Sequence, residues 1–272
     1  MRTVFYEVQH RGVADAPTVL LSSGLGGLAS YWREQSAALG ARGATVIVYD
    51  QRGTGRSRDA LPRDYTIARM AEDVRQILDD AEVARCHFVG HALGGLVGMQ
   101  LALDAAERVA SLTLVNAWPS MRAATRRCFD ARLRLLQHAG VEAYVDAQPI
   151  FLYPPVWMET HGERVEAEVR HAIESFPGVD TMLARIRALS AFDISGRLGS
   201  IAAPTLLVAA SDDVLVPSSA SALLEAGLPQ ATLRTMPYGG HACNVTCPEP
   251  FNAMLTEFIV DAHARSGVVR EG

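Results

Sequence analysis

The chain has 272 residues, 49% hydrophobic and 20% charged, with a formal net charge of −5 at pH 7. That balance suits a globular protein with a large core and excludes an intrinsically disordered chain. No basic run marks a nucleic-acid or anionic-membrane surface, and no apolar run reaches the length of a membrane span, so neither partner is expected.

The first ten residues, "MRTVFYEVQH", read as a strand without the apolar core of a signal peptide, so a cytoplasmic location is expected. Strands follow at "TVLLS" (18–22) and "TVIVYD" (45–50), each nearly continuous in apolar residues, as strands buried on both faces are. Ile67, Met70, Ala71, Val74, Ile77, Leu78 and Ala81 then repeat at helical spacing. "CHFVG" (86–90) is a strand, and a helix from about Leu93 to Asp104 comes after it. "SLTLVN" (111–116) and "TLLVAA" (205–210) complete the series. This alternation predicts an α/β fold, a mostly parallel sheet with helices on both faces. Between about Trp118 and Gly199 the alternation stops. "TRRCFDARLRLLQHAG" and "GERVEAEVRHAIESF" are amphipathic helices separated by "YPPVW", and no strand is visible. An all-helical insertion at 118–199 is expected, splitting a core of 1–117 and 200–272. Sites in such sheets lie at the carboxyl ends of strands, so the insertion would form a lid.

Four segments fall at those strand ends: "SSGLGG" from Ser22, "DQRGTGRS" from Asp50, "GHALGG" from Gly90, and the pair "SDDVLVP" and "YGGHACN". Their order matches the α/β-hydrolase plan of oxyanion loop, nucleophile elbow, acid and histidine. The elbow Gly-x-Ser-x-Gly has Ala92 in place of serine. A methyl group cannot attack a carbonyl. Gly90 and Gly94 keep the elbow's small neighbours, so its strained turn should persist. Backbone N–H groups of Leu93 and Leu25 are then expected to form an oxyanion hole. His241 is the expected base. Asp213, four residues before Pro217, is the expected acid orienting it, with Asp212 as the rival. His91 is read as packing beneath the elbow, and "DQRGTGRS" as a structural turn with Gly53 and Gly55 giving freedom and Arg52 buttressing. Other nucleophiles are Ser22 and Ser23, on the wrong side of the reacting carbonyl, and Cys243, two residues past His241. Arg126 and Arg127, in the lid, are candidates for holding a substrate carboxylate. The four cysteines are scattered apart from Cys243-x-x-x-Cys247, which lacks a second ligand pair, so no metal is expected.

Taken together, "YDQRGTG", "VGHALGGLVGMQLALD", "TRRCF", "AQPIFLYP", "ASDDVLVP" and "MPYGGHACNVT" resemble the RutD family, pyrimidine-utilisation protein D. The likeness runs from about residue 15 to about residue 260 and includes the lid. It implies alanine at the elbow as a family trait, no cofactor, and a role in uracil breakdown on a small labile substrate. That substrate is carbamate, giving ammonia and carbon dioxide, or alternatively aminoacrylate, giving malonic semialdehyde and ammonia. Both also decay spontaneously. With no hydroxyl at Ala92, water is the expected nucleophile and His241 its base. A homodimer is expected by analogy only. Ser23 departs from the histidine often found in hydrolases at that place, and Cys247 replaces an expected acid. Competing readings are a non-catalytic binding protein, against which the retained His241 and Asp213 argue, and a lyase or cofactor-free oxygenase using the dyad alone.

Overall fold

A computed structural model describes residues 4–13 and 15–268, with the side chains of 266–268 left aside. Met1 to Thr3, the start of the first expected strand, lie outside the described residues. In chain order the core begins β1 (Tyr6–His10), β2 (Thr18–Ser22), α1 (Arg33–Ala41), β3 (Thr45–Tyr49), α2 (Ile67–Asp80), β4 (Cys86–His91), α3 (Leu93–Asp104) and β5 (Val109–Val115). It resumes at β6 (Thr205–Ala210), α10 (Ser219–Gly227), β7 (Ala231–Met236), α11 (Cys243–Thr246) and α12 (Pro248–Val268). The sheet order is β1-β3-β2-β4-β5-β6-β7. β1 runs antiparallel to β3; the other pairings are parallel.

The alternation of strand side chains explains the layers. Leu20, Ile47, Phe88, Leu112 and Leu207 face one core with α2 and α3. Val19, Leu21, Val46, Val48, Val89 and Val208 face a second core with α1 and α12. Both faces are covered, which is why the inner strands read as continuous apolar runs. β7 has one neighbour, and its residues alternate in exposure, so it lacks that run. After β2 the chain turns to one side of the sheet, and from β4 onward it builds the other. The order thus reverses between these two neighbours, where such sheets open a crevice. Ser22 is paired with Gly90, so the oxyanion loop and the elbow emerge side by side.

Between β5 and β6 lie six helices: α4 (Ala123–His138), α5 (Gly140–Asp146), α6 (Gln148–Leu152), α7 (Pro155–Thr160), α8 (Gly162–Glu174) and α9 (Val179–Ala191). A small clasp ties the two ends of this cap together. Ser120 bridges Asp193, Ile194 N–H donates to Pro119 O at 3.0 Å, and Ser195 Oγ donates to Ser120 Oγ at 3.1 Å. Among the described residues no helix is long and apolar enough to cross a membrane.

Candidate active site

Ala92 joins β4 to α3 with φ 47° and ψ −111°, a strained combination for a residue with a side chain. Close packing holds it there. A Cβ at Gly94 would lie 2.1 Å from Ser22 O, and one at Gly90 would lie 2.4 Å from the Gly94 backbone. Strand and helix therefore meet backbone to backbone. Ala92 N–H donates to Val115 O at 2.8 Å. Leu93 opens α3, in the turn whose N–H groups have no intrahelical acceptor.

On the neighbouring loop Gly27 N–H donates to Gly24 O at 3.1 Å, fixing the plane of the Gly24–Leu25 peptide and hence the direction of Leu25 N–H. The far side of Leu25 is held by the cap. Arg185 of α9, fully buried, donates to Leu25 O through Nη2 at 3.0 Å and Nε at 3.3 Å, and also to Gln51 Oε1. Burial lowers the affinity of this guanidinium for its proton, and the nearby hydroxyls of Tyr65, Tyr49 and Tyr144 oppose that.

The dyad is assembled. His241 Nδ1 donates to Asp213 Oδ2 at 2.7 Å, and both residues are buried. Asp213 Oδ1 accepts from the N–H groups of Leu215 and Val216, each at 2.8 Å, so both carboxylate oxygens are engaged. With Nδ1 turned to the acid, Nε2 is the ring nitrogen left to serve as base. Asp212 does separate work. Its carboxylate accepts from Gly240 N–H at 2.9 Å and Gly239 N–H at 3.2 Å, shaping the loop that carries His241.

Two further groups fix that loop. Asn116, just past β5 at φ 48°, donates from Nδ2 to His241 O at 2.7 Å and accepts from Ala210 N–H at 3.1 Å. His91 donates from Nε2 to the same carbonyl at 2.8 Å, its ring 4.7 Å from that of His241. Burial, then the neighbouring His241, holds His91 well below the usual histidine range, so it stays neutral. His91 is therefore more than packing beneath the elbow.

The other expected residues fall as follows. Ser22 Oγ is paired with Tyr49 Oη at 2.7 Å, and Ser23 Oγ is buried without a hydrogen bond. Burial pushes the Cys243 thiol up to about 12, leaving it protonated and a poor nucleophile. Arg52 forms a two-pronged ion pair with Asp73 on α2, the expected buttress. Arg126 and Arg127 are exposed, and Arg126 donates to Met121 O at 3.3 Å. In place of the carboxylate contact expected of them, the structure shows solvent-facing side chains. The buried stripe of α4 is Thr125, Phe129, Arg132 and Leu136, so positions 126 and 127 turn to solvent. The buried cations of the cap are Arg132 and Arg185. Sequence reasoning passed over both, although each interrupts an apolar stripe at helical spacing. It also passed over Asn116, a polar residue closing an apolar strand.

Fold and site together define an α/β-hydrolase-fold protein, and that family matches residues 17–147. A hydrolase from Pseudomonas aeruginosa PA01 superposes with a TM-score of 0.83 at 32% identity, over 94% of each chain. The enol-lactonase of Burkholderia xenovorans LB400, at 24% identity and a TM-score of 0.85 over 94% of this chain and 96% of that one, shares the fold. Proteins named "Putative carbamate hydrolase RutD" are nearer in sequence. That of Variovorax paradoxus is 58% identical over 259 residues, 95% of this chain and 97% of the relative. That of Pseudomonas syringae pv. syringae is 49% identical over 255 residues, 94% and 97%. The chain belongs to the RutD family.

Proposed function

We propose that this protein hydrolyses carbamate during pyrimidine breakdown, with water as nucleophile. The family name supports the substrate. The observation that carries the chemistry is the buried His241–Asp213 pair at 2.7 Å, built beside an elbow that keeps its strained turn at Ala92. A serine hydrolase without its serine retains a base and an oxyanion hole, enough for a substrate that already decays in solution.

In the proposed step His241 Nε2 takes a proton from water as its oxygen adds to the carbamate carbon. Leu25 and Leu93 N–H groups receive the charge that builds on oxygen. Asp213 stabilises the imidazolium. His241 then returns the proton to nitrogen, the C–N bond breaks, and ammonia and bicarbonate, the hydrated form of carbon dioxide, leave. The methyl of Ala92 leaves room where a serine hydroxyl would stand, and water occupies that room in this scheme. The test is ammonia release from freshly generated carbamate with and without the protein. A rate equal to the spontaneous one at every protein concentration would remove the catalytic reading.

A further inference from the structure

The cap meets the two dyad loops at separate points. Cys128 Sγ on α4 donates to Val214 O at 3.4 Å, beside Asp213. Leu152 O, at the end of α6, accepts from Ala242 N–H at 3.0 Å, beside His241. Arg132 is tied to the helices that make both contacts. It is one helical turn beyond Cys128, and its guanidinium carbon is 5.7 Å from the ring centre of Phe151, which precedes Leu152. The rings of Phe129 and Tyr144 stand 4.9 and 5.5 Å away, and Phe129 packs on Trp118 at the mouth of the sheet.

This guanidinium is buried, with 4% of the residue exposed. Its hydrogen bonds reach neutral acceptors: Tyr144 Oη at 3.2 Å and Gln148 Oε1. Nε–H is buried and has no acceptor. Among the described residues no carboxylate pairs with it. Asp213 is already engaged by His241 and two backbone N–H groups. Arginine does not escape burial by losing its proton, so an unpaired buried guanidinium is costly until an anion meets it. In the second buried cation, Arg185, each nitrogen donates to Leu25 O, Gln51 Oε1 or Arg52 O, so among the described residues Arg132 Nε is the one buried guanidinium nitrogen without an acceptor.

We infer that Arg132 is the anion-binding residue of the site, and that its ligand is a small planar carboxylate-type monoanion. The free Nε–H, on a guanidinium whose Nη2 is already held by Tyr144 and Gln148, can give one charge-assisted hydrogen bond to an oxygen of such a group, and carbamate has this size and charge. The inference rests on the proposed function only in taking the cap–core interface over the dyad as the substrate site.

Acetate, an unreactive carboxylate, and acetamide, its neutral counterpart, test it. Each is titrated into the intact protein at constant ionic strength and followed by calorimetry or ligand-observed NMR. Acetate should bind saturably and acetamide should not. Arg132→Gln should weaken acetate by about tenfold or more, the scale of a lost hydrogen bond to a charged group. Arg132→Lys, keeping the charge without the fixed Nε–H, should fall between, and Arg126→Ala with Arg127→Ala should change nothing. Absent acetate binding, or equal affinity for acetamide, overturns the proposal from the parent protein alone, even if no variant folds. So does full acetate affinity in a folded Arg132→Gln. Acetate does not turn over, so bound acetate with no carbamate hydrolysis would sink the catalytic reading and leave the anion site standing.

Discussion

The dyad end of the core and the interior of the cap both bury charge, and they settle it in different ways. Asp213 receives an imidazole N–H and two backbone N–H groups, while Asn116 and His91 hold the carbonyl of His241. Nearly every donor there comes from a strand end or a tight loop, so the geometry stands without a ligand. The cap settles Arg132 and Arg185 with side-chain and carbonyl oxygens and leaves the buried Nε–H of Arg132 unmet. The core thus carries a preorganised acid–base pair, and the cap carries a cation that is incomplete on its own. The core supplies chemistry, and the cap supplies demand for an anion.

The sharpest way to break this contrast is at the dyad. His241→Ala and Asp213→Asn should each cut protein-dependent ammonia release from carbamate by about 10²- to 10⁴-fold, the range for general acid–base catalysis. Circular dichroism should stay unchanged. A full rate in Asp213→Asn would deny the acid its orienting role.

Backbone packing separates the two regions next. Gly94→Ala drives a Cβ to 2.1 Å from Ser22 O, a backbone atom that cannot swing aside. It should cost more than about 3 kcal/mol in urea unfolding. Gly162, at the start of α8, has nothing within 4 Å of its Cβ position. There Gly162→Ala should stabilise by about 0.5 kcal/mol by restricting the unfolded chain. Equal effects at both sites would mean that the elbow is not close-packed.

The core should also respond to acid. Burial lowers His87 from 6.5 to about 4, so it is neutral when folded. As pH falls through 6.5 the unfolded chain takes up that proton first. Stability is therefore full above 6.5 and is lost progressively down to about 4, by up to about 3 kcal/mol from this group. Comparing urea midpoints of the parent and His87→Gln at pH 7 and pH 5 isolates it; the variant should lose less.

The last effect expected is a gain in activity. Ala92→Ser would complete a Ser–His–Asp triad and should raise hydrolysis of a small activated ester about tenfold to hundredfold over the parent. Adding His241→Ala should erase the gain. A folded Ala92→Ser variant that gains no esterase activity and takes no organophosphonate label would show that the elbow no longer presents its side chain to the base.

Legibility in the sequence followed the same division. Strands buried on both faces announced themselves as apolar runs, and Ala92, Asp213 and His241 sit at strand ends where short motifs fix their spacing. α3 spans Leu93–Asp104 as its pattern predicts. Cap residues answer to a helical period, which gives a face but not a partner. The adjacent pair Arg126 and Arg127 drew attention as charge, yet Arg132, three residues on from Phe129, shares its buried face. Asn116 was hidden for another reason: its partners, Ala210 and His241, are 94 and 125 residues away.

The clasp between Ser120 and Asp193 makes the cap a closed excursion from the sheet. The chain departs and returns through one point, so β5 and β6 remain neighbours whatever lies in between. For a loop already closed, lengthening is cheap: doubling a flexible one adds only about 0.6 kcal/mol of closure entropy. The cap is in this sense an exchangeable module. Helices can be lengthened, lost or replaced outside the clasp without disturbing strand register, and ligand preference can diverge as long as the contacts of Cys128, Leu152 and Arg185 with the dyad loops and Leu25 are kept.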